Sequence, residues 1–112
     1  MMKQKGYEVM MSIAQVNKVK RQQATGLFAR NFAVLLAEKG WENHSMPQLV
    51  VELNRCLGRK VFSKDTVRIW CKGMGLPNYA SFLMLAEALD CYEEGLLPDK
   101  YLSMLSGYWL AD

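Results

Sequence analysis

Between Ser45 and Leu89 the chain repeats one arrangement three times: a capping residue opens a short run of apolar side chains at helical spacing, and glycine or proline punctuates the gaps. This pattern restricts the fold more than any other feature. Helices shorter than about 12 residues are marginal in isolation and persist only when each buries an apolar stripe against its neighbours. The first run opens on Ser45-Met46-Pro47-Gln48, a capping box in which the serine hydroxyl takes a backbone donor and the glutamine reaches back. Pro47 fits the first turn, where its missing N–H has no intrahelical partner. Leu49, Val50, Leu53 and Leu57 form the inward stripe, and Gly58 marks the end. Ser63 caps the second run, Lys64 to Lys72, with Val67 and Trp70 inward, Phe62 just ahead and Gly73 as the stop. After the tight connection Met74-Gly75-Leu76-Pro77, Asn78 caps the third run, in which Phe82, Leu85, Ala86 and Leu89 keep a 3.6 period.

Upstream, Phe28, Phe32, Leu35 and Leu36 line one face of a helix over Ala24–Lys39, with Gly40 after it and Trp41 as a lid on the core. Downstream, a last helix is expected from about Pro98 to Trp109. No Val/Ile/Thr alternation or Asn-Gly hairpin signal competes. The expected fold is all-α, about five short helices in a single domain over residues 24–112, preceded by a basic N-terminal arm or weak helix over residues 1–23.

Charge is segregated along this frame. Residues 1–30 carry six Lys/Arg against Glu8, and residues 55–72 carry six against Asp65. Residues 73–112 carry Lys100 against six acidic residues, so a net charge of +3 conceals two basic blocks and an acidic end. Such segregation fits a face that binds a polyanion, and equally an ordinary solvated surface. Cys56, Cys71 and Cys91 are widely spaced, and with His44 alone they assemble neither a disulfide framework nor a closed zinc site. They read as buried structural thiols in a reduced, cytoplasmic protein without metal or cofactor. No apolar stretch has the length of a membrane span or the character of a signal peptide.

The segment Ser63 to Cys91 resembles the lambda-repressor-like helix-turn-helix family, also called the Xre family of phage and bacterial regulators. Ser63, Thr66, Val67, Trp70, Gly73, Pro77, Leu85, Ala86, Ala88 and Leu89 stand in the register of its capped Thr-Val-x-x-Trp helix, its Gly-to-Pro turn and its Leu-Ala-x-Ala-Leu helix. With the two helices upstream the resemblance covers residues 24–91. It implies a helix-turn-helix domain that binds an operator. Two positions depart from the family pattern. Met46 occupies the place of the usual phosphate-touching Gln, with Gln48 two positions later, and the connection from Leu53 to Ser63 is a longer helix or a wider loop than the family's.

Elementary recognition chemistry points the same way. A helix entering a major groove about 12 Å wide needs polar side chains on its N-terminal turns and an apolar face on the domain. Lys64, Asp65, Arg68 and Ile69 meet that demand as base readers: Arg68 suits a guanine edge, Asp65 a cytosine amine or the orientation of Arg68, and Ile69 a thymine methyl. Arg59, Lys60, Ser63 and Lys72, together with Lys18, Lys20 and Arg21 in the arm, are the phosphate candidates. Tyr101, Leu102, Leu105, Tyr108 and Trp109 exceed what one packed stripe needs, so they are expected either at a homodimer interface or inside the monomer.

The leading expectation is therefore a sequence-specific regulator of transcription that binds double-stranded DNA as a dimer. Lacking room for a sensor domain, it is expected to be controlled by concentration, a partner protein or proteolysis. The alternative is a helical protein-interaction module of antitoxin or adaptor type. Catalysis is the weakest class, since no phosphate loop, nucleophile dyad or paired carboxylate is visible.

Overall fold

A computed structural model describes residues 2–102, with side chains from Lys18 onward except Lys20. Five helices follow in order: α1 (Met2–Glu38), α2 (Met46–Leu57), α3 (Lys64–Cys71), α4 (Tyr79–Ala88) and α5 (Glu93–Leu96). Residues 99–102 are helical as well. No strand occurs among the described residues, and the fold is all-α. No helix among them is long and apolar enough to cross a membrane.

The caps behave as their chemistry requires. Ser45 accepts from the Gln48 N–H at 3.3 Å while Gln48 Oε1 accepts from the Ser45 N–H at 2.9 Å, closing the capping box. Ser63 and Asn78 accept from the N–H of Thr66 and Ser81 at 3.2 and 2.8 Å. Gly58 leaves α2 at φ +70°, a left-handed conformation that costs glycine no Cβ clash.

Two boundaries differ from the sequence expectation. α1 begins at Met2, so the backbone is helical straight through residues 23 and 24, where a basic arm or weak helix was expected to give way to the domain. Residues 2–23 hold a single glycine and no proline, and their Lys, Gln, Arg, Met and Ala side chains are good helix formers. A helix nucleated on the packed segment from Ala24 to Leu36 extends N-terminally at little cost, since propagation adds one hydrogen bond for each residue ordered. The second difference is α5, one turn whose burial comes from Leu96 and Leu97 at its end. Four residues are too few to display a period.

The helices close around one core. α3 packs against α1 and α2, α2 also against α4, and α5 against α1 and α4. Phe28 is the hub, with ring centroids 5.9 Å from Phe32 and 6.2 Å from Phe82. Leu53, Leu85, Leu96 and Leu97 are fully enclosed around them. Asn31 on α1 donates to the Leu96 carbonyl at 3.1 Å and ties α5 down. Trp41 lies half-buried on the core, as expected of a lid, and stacks on His44. Tyr101 and Leu102, two of the residues weighed for a dimer interface, are half-buried against the core of their own chain. Leu105, Tyr108 and Trp109 lie outside the described residues.

Candidate nucleic-acid interface

α3 is held in place from behind. Val67 is fully buried, and Trp70, 3% exposed, meets the Phe62 ring edge-on at 5.3 Å between centroids. A helix of about two turns with one face so tightly packed cannot roll, so the opposite face has a defined orientation. That face carries Lys64, Asp65, Ile69 and Lys72, all exposed, and the half-exposed Arg68. Asp65 accepts from Arg68 Nη1 at 3.3 Å, an i, i+3 pair in which both side chains remain substantially open to solvent. Such a pair adds little stability, but it restricts the guanidinium to one side of the helix and uses only one of its five N–H donors. Ile69 rests over the following turn: a Cβ on Gly75 would stand 3.1 Å from its Cγ2.

The connection from α2 to α3, too long for the family pattern, is organised by one side chain. Asn54 Oδ1 accepts from the N–H groups of Val61 and Phe62 at 2.9 and 2.8 Å, and its Nδ2 donates to the Phe62 carbonyl at 3.0 Å. A side-chain amide offers one acceptor and two donors, so it can stand in for a neighbouring strand and hold the chain extended as it enters α3. This anchoring seats Phe62 under Trp70 and thereby sets where α3 lies. Asn54 went unmarked in the sequence because nothing local distinguishes it from a solvated helical residue.

The expected phosphate contacts divide. Lys60 and Lys72 are exposed on either side of α3. Arg59 turns toward α4, where Nη2 lies 3.6 Å from Met84 Sδ. The Ser63 hydroxyl is committed to the helix: it accepts from the Thr66 N–H and donates to Thr66 Oγ1 at 2.9 Å, leaving no hydrogen for a phosphate. Arg55, the other arginine of this block, pairs with Glu52, and that hydrogen bond holds the Glu52 carboxyl below the usual carboxylate range. Lys18 and Arg21 stand on α1. Lys20 shares that helix, and its side chain lies outside the described residues.

No protein family, curated protein or solved structure matches this chain.

The thiols correct one further expectation. Cys71 and Cys91 are half-buried, and burial pushes both thiols up from their ordinary range, with Asp90 adding to the effect at Cys91. Cys56, expected inside, is exposed near the C-terminal end of α2, although it follows Leu49 and Leu53 at helical spacing. Among the described residues no group of three His, Cys, Asp or Glu side chains is arranged to hold a metal ion.

Proposed function

We propose that the protein is a sequence-specific double-stranded DNA-binding regulator of transcription, with α3 as the helix that enters the major groove. The observation that carries this reading is the division of α3 into a locked apolar side, Val67 and Trp70, and an open side that presents Lys64, Asp65, Arg68 and Ile69 together. Those four supply donors, an acceptor and an apolar group, the chemistry that base edges display in the major groove. Lys60 and Lys72 flank them as sequence-blind phosphate contacts. The Xre-like register of residues 63–91 supports the same assignment and suggests a regulator of the phage or mobile-element kind. In this reading two copies bind a near-palindrome with half-sites about 34 Å apart. The proposed contact between them draws on the C-terminal apolar set Tyr101, Leu102, Leu105, Tyr108 and Trp109, of which Tyr101 and Leu102 are half-buried against the core.

Selection of bound duplexes from a random library, followed by gel shifts over a range of salt, tests the reading. An enriched motif with two-fold symmetry and a steep salt dependence is the expected result. Arg68→Ala should relax preference at one base pair at a cost of about 1–3 kcal/mol, whereas Lys72→Ala should weaken all sequences alike. Failure to enrich any motif at low salt would remove DNA recognition as the function. A protein-interaction module of antitoxin or adaptor type is the second reading. It is favoured by the exposed Met74, Tyr79 and Tyr92, the last 86% accessible.

A further inference from the structure

A second polar feature lies beyond α3, where α1 meets the turn into α4. Lys18, Arg21, Gln22 and Thr25 stand at i, i+3, i+4 and i+7, one stripe of α1, and with Gly73, Met74, Gly75 and Leu76 they line an open cleft of about 470 Å³. No acidic residue is among the eight. The turn contributes no charge of its own, so every cation in the cleft comes from α1. Both walls are fixed. Gly73 adopts φ +68°, and a Cβ there would stand 3.5 Å from Ala29 Cβ and 3.7 Å from the Thr25 carbonyl oxygen, so the gap between α1 and the turn beneath the cleft is about the size of one methyl group. The Thr25 hydroxyl donates to the Gln22 carbonyl at 2.7 Å and holds the stripe against its own helix. Within the turn, the N–H groups of Gly73 and Met74 are bonded to the carbonyls of Trp70 and Ile69. Those of Gly75 and Leu76 make no hydrogen bond among the described residues.

We infer that this cleft binds a phosphate group, the phosphodiester of a duplex whose bases face α3. An ammonium, a guanidinium and a side-chain amide on one wall, opposite a turn with two unbonded backbone donors, form a donor-rich and acid-free concavity suited to an anion. Position selects the phosphodiester. From Lys64 to Lys72 the helix rises about 12 Å, close to the width of the major groove, so when the first turn of α3 reaches base edges its far end arrives at the backbone bordering the groove. The cleft opens just past that end. Lys18 and Arg21 thus do the work expected of a basic arm from positions on a helix. The inference rests on the DNA-binding reading, and its test separates the two.

The test compares the full-length protein with a Lys18→Ala/Arg21→Ala variant, using the selected duplex between 50 and 200 mM salt. Loss of one phosphate contact lowers the slope of log affinity against log salt by about 0.9, so the variant should lose about 3.5-fold less affinity over that range while enriching the same motif. The same duplex with one methylphosphonate at the groove border should weaken the wild type and leave the variant unchanged. An unaltered slope in a variant that still binds and melts like the wild type overturns the inference. If the wild type binds no duplex, the functional reading fails, and titration with inorganic phosphate followed by amide NMR decides the cleft separately. Saturable shifts at Gln22, Gly75 and Leu76 that vanish in the variant would identify a free anion site, and their absence would overturn the inference.

Discussion

Asn54→Ala removes the three hydrogen bonds that fasten the approach to α3, with no loss of core volume. Two of them satisfy the N–H groups of Val61 and Phe62, and the third satisfies the Phe62 carbonyl, at 2.8–3.0 Å in a partly buried setting. A hydrogen bond of this kind contributes about 1 kcal/mol net, and water can reach part of the site once the amide is gone, so the expected loss is about 2 kcal/mol. In a domain of this size that corresponds to a melting temperature lower by about 10 °C. Asn54→Asp keeps an acceptor for both N–H groups, strengthened by its charge, but turns a second oxygen toward the Phe62 carbonyl, so it should cost less than Asn54→Ala without matching the wild type. Urea titration followed by circular dichroism gives both values, and an unchanged m-value would show that the unfolded state is not the cause. Amide exchange at Val61 and Phe62 should rise in Asn54→Ala ahead of global unfolding. The reasoning fails if Asn54→Ala lies within about 0.5 kcal/mol of the wild type, or if the aspartate variant is as unstable as the alanine one.

Gly26 lies inside α1, where an added Cβ would meet nothing within 4 Å, so Gly26→Ala should stabilise the protein by about 0.5–1 kcal/mol in the same titration. Gly73→Ala should do the reverse, losing about 1–2 kcal/mol, because its φ of +68° is unfavourable for any residue with a Cβ even though the methyl itself would fit. Alkylation at pH 8 should modify Cys56 well before Cys71 and Cys91, with the three rates converging in denaturant. Since burial raises the Cys71 and Cys91 thiols in the folded state, their effect on stability is nil below the unfolded thiol range near pH 8.5. Stability should then fall as pH rises through that range.

Much of the fold was legible from short-range chemistry. The capping residues Ser45, Ser63 and Asn78, the left-handed glycines 40, 58 and 73, and the stripes through Phe28, Leu53, Trp70 and Leu85 all act over one to eight residues. A linear sequence displays interactions of that range directly. The open face of α3 followed from the same arithmetic, since side chains opposite Val67 and Trp70 have nowhere to point but outward. The first half of α1 was not legible in this way. Its sequence shows no strong apolar period, and its helicity follows from propensity carried on from a packed neighbour.

The residues that changed meaning did so through contacts across large sequence separations. Arg59, expected among the phosphate contacts, is exposed beside Met84, 25 positions away, a neighbour that the sequence does not display. Tyr101 and Leu102 looked like surplus apolar surface until the core was closed beneath them. Asn54 became an anchor only when the backbone of Val61 and Phe62 returned to it. Lys18 and Arg21, expected as phosphate contacts, meet Gln22 and the turn from Gly73 to Leu76 in one cleft, a grouping that no local spacing shows. The caps that open α2, α3 and α4 and the apolar sides of those helices are local properties of the chain. Which polar groups meet depends on how rigid helices pack, and close packing fixes that arrangement through the whole core at once and through no single segment.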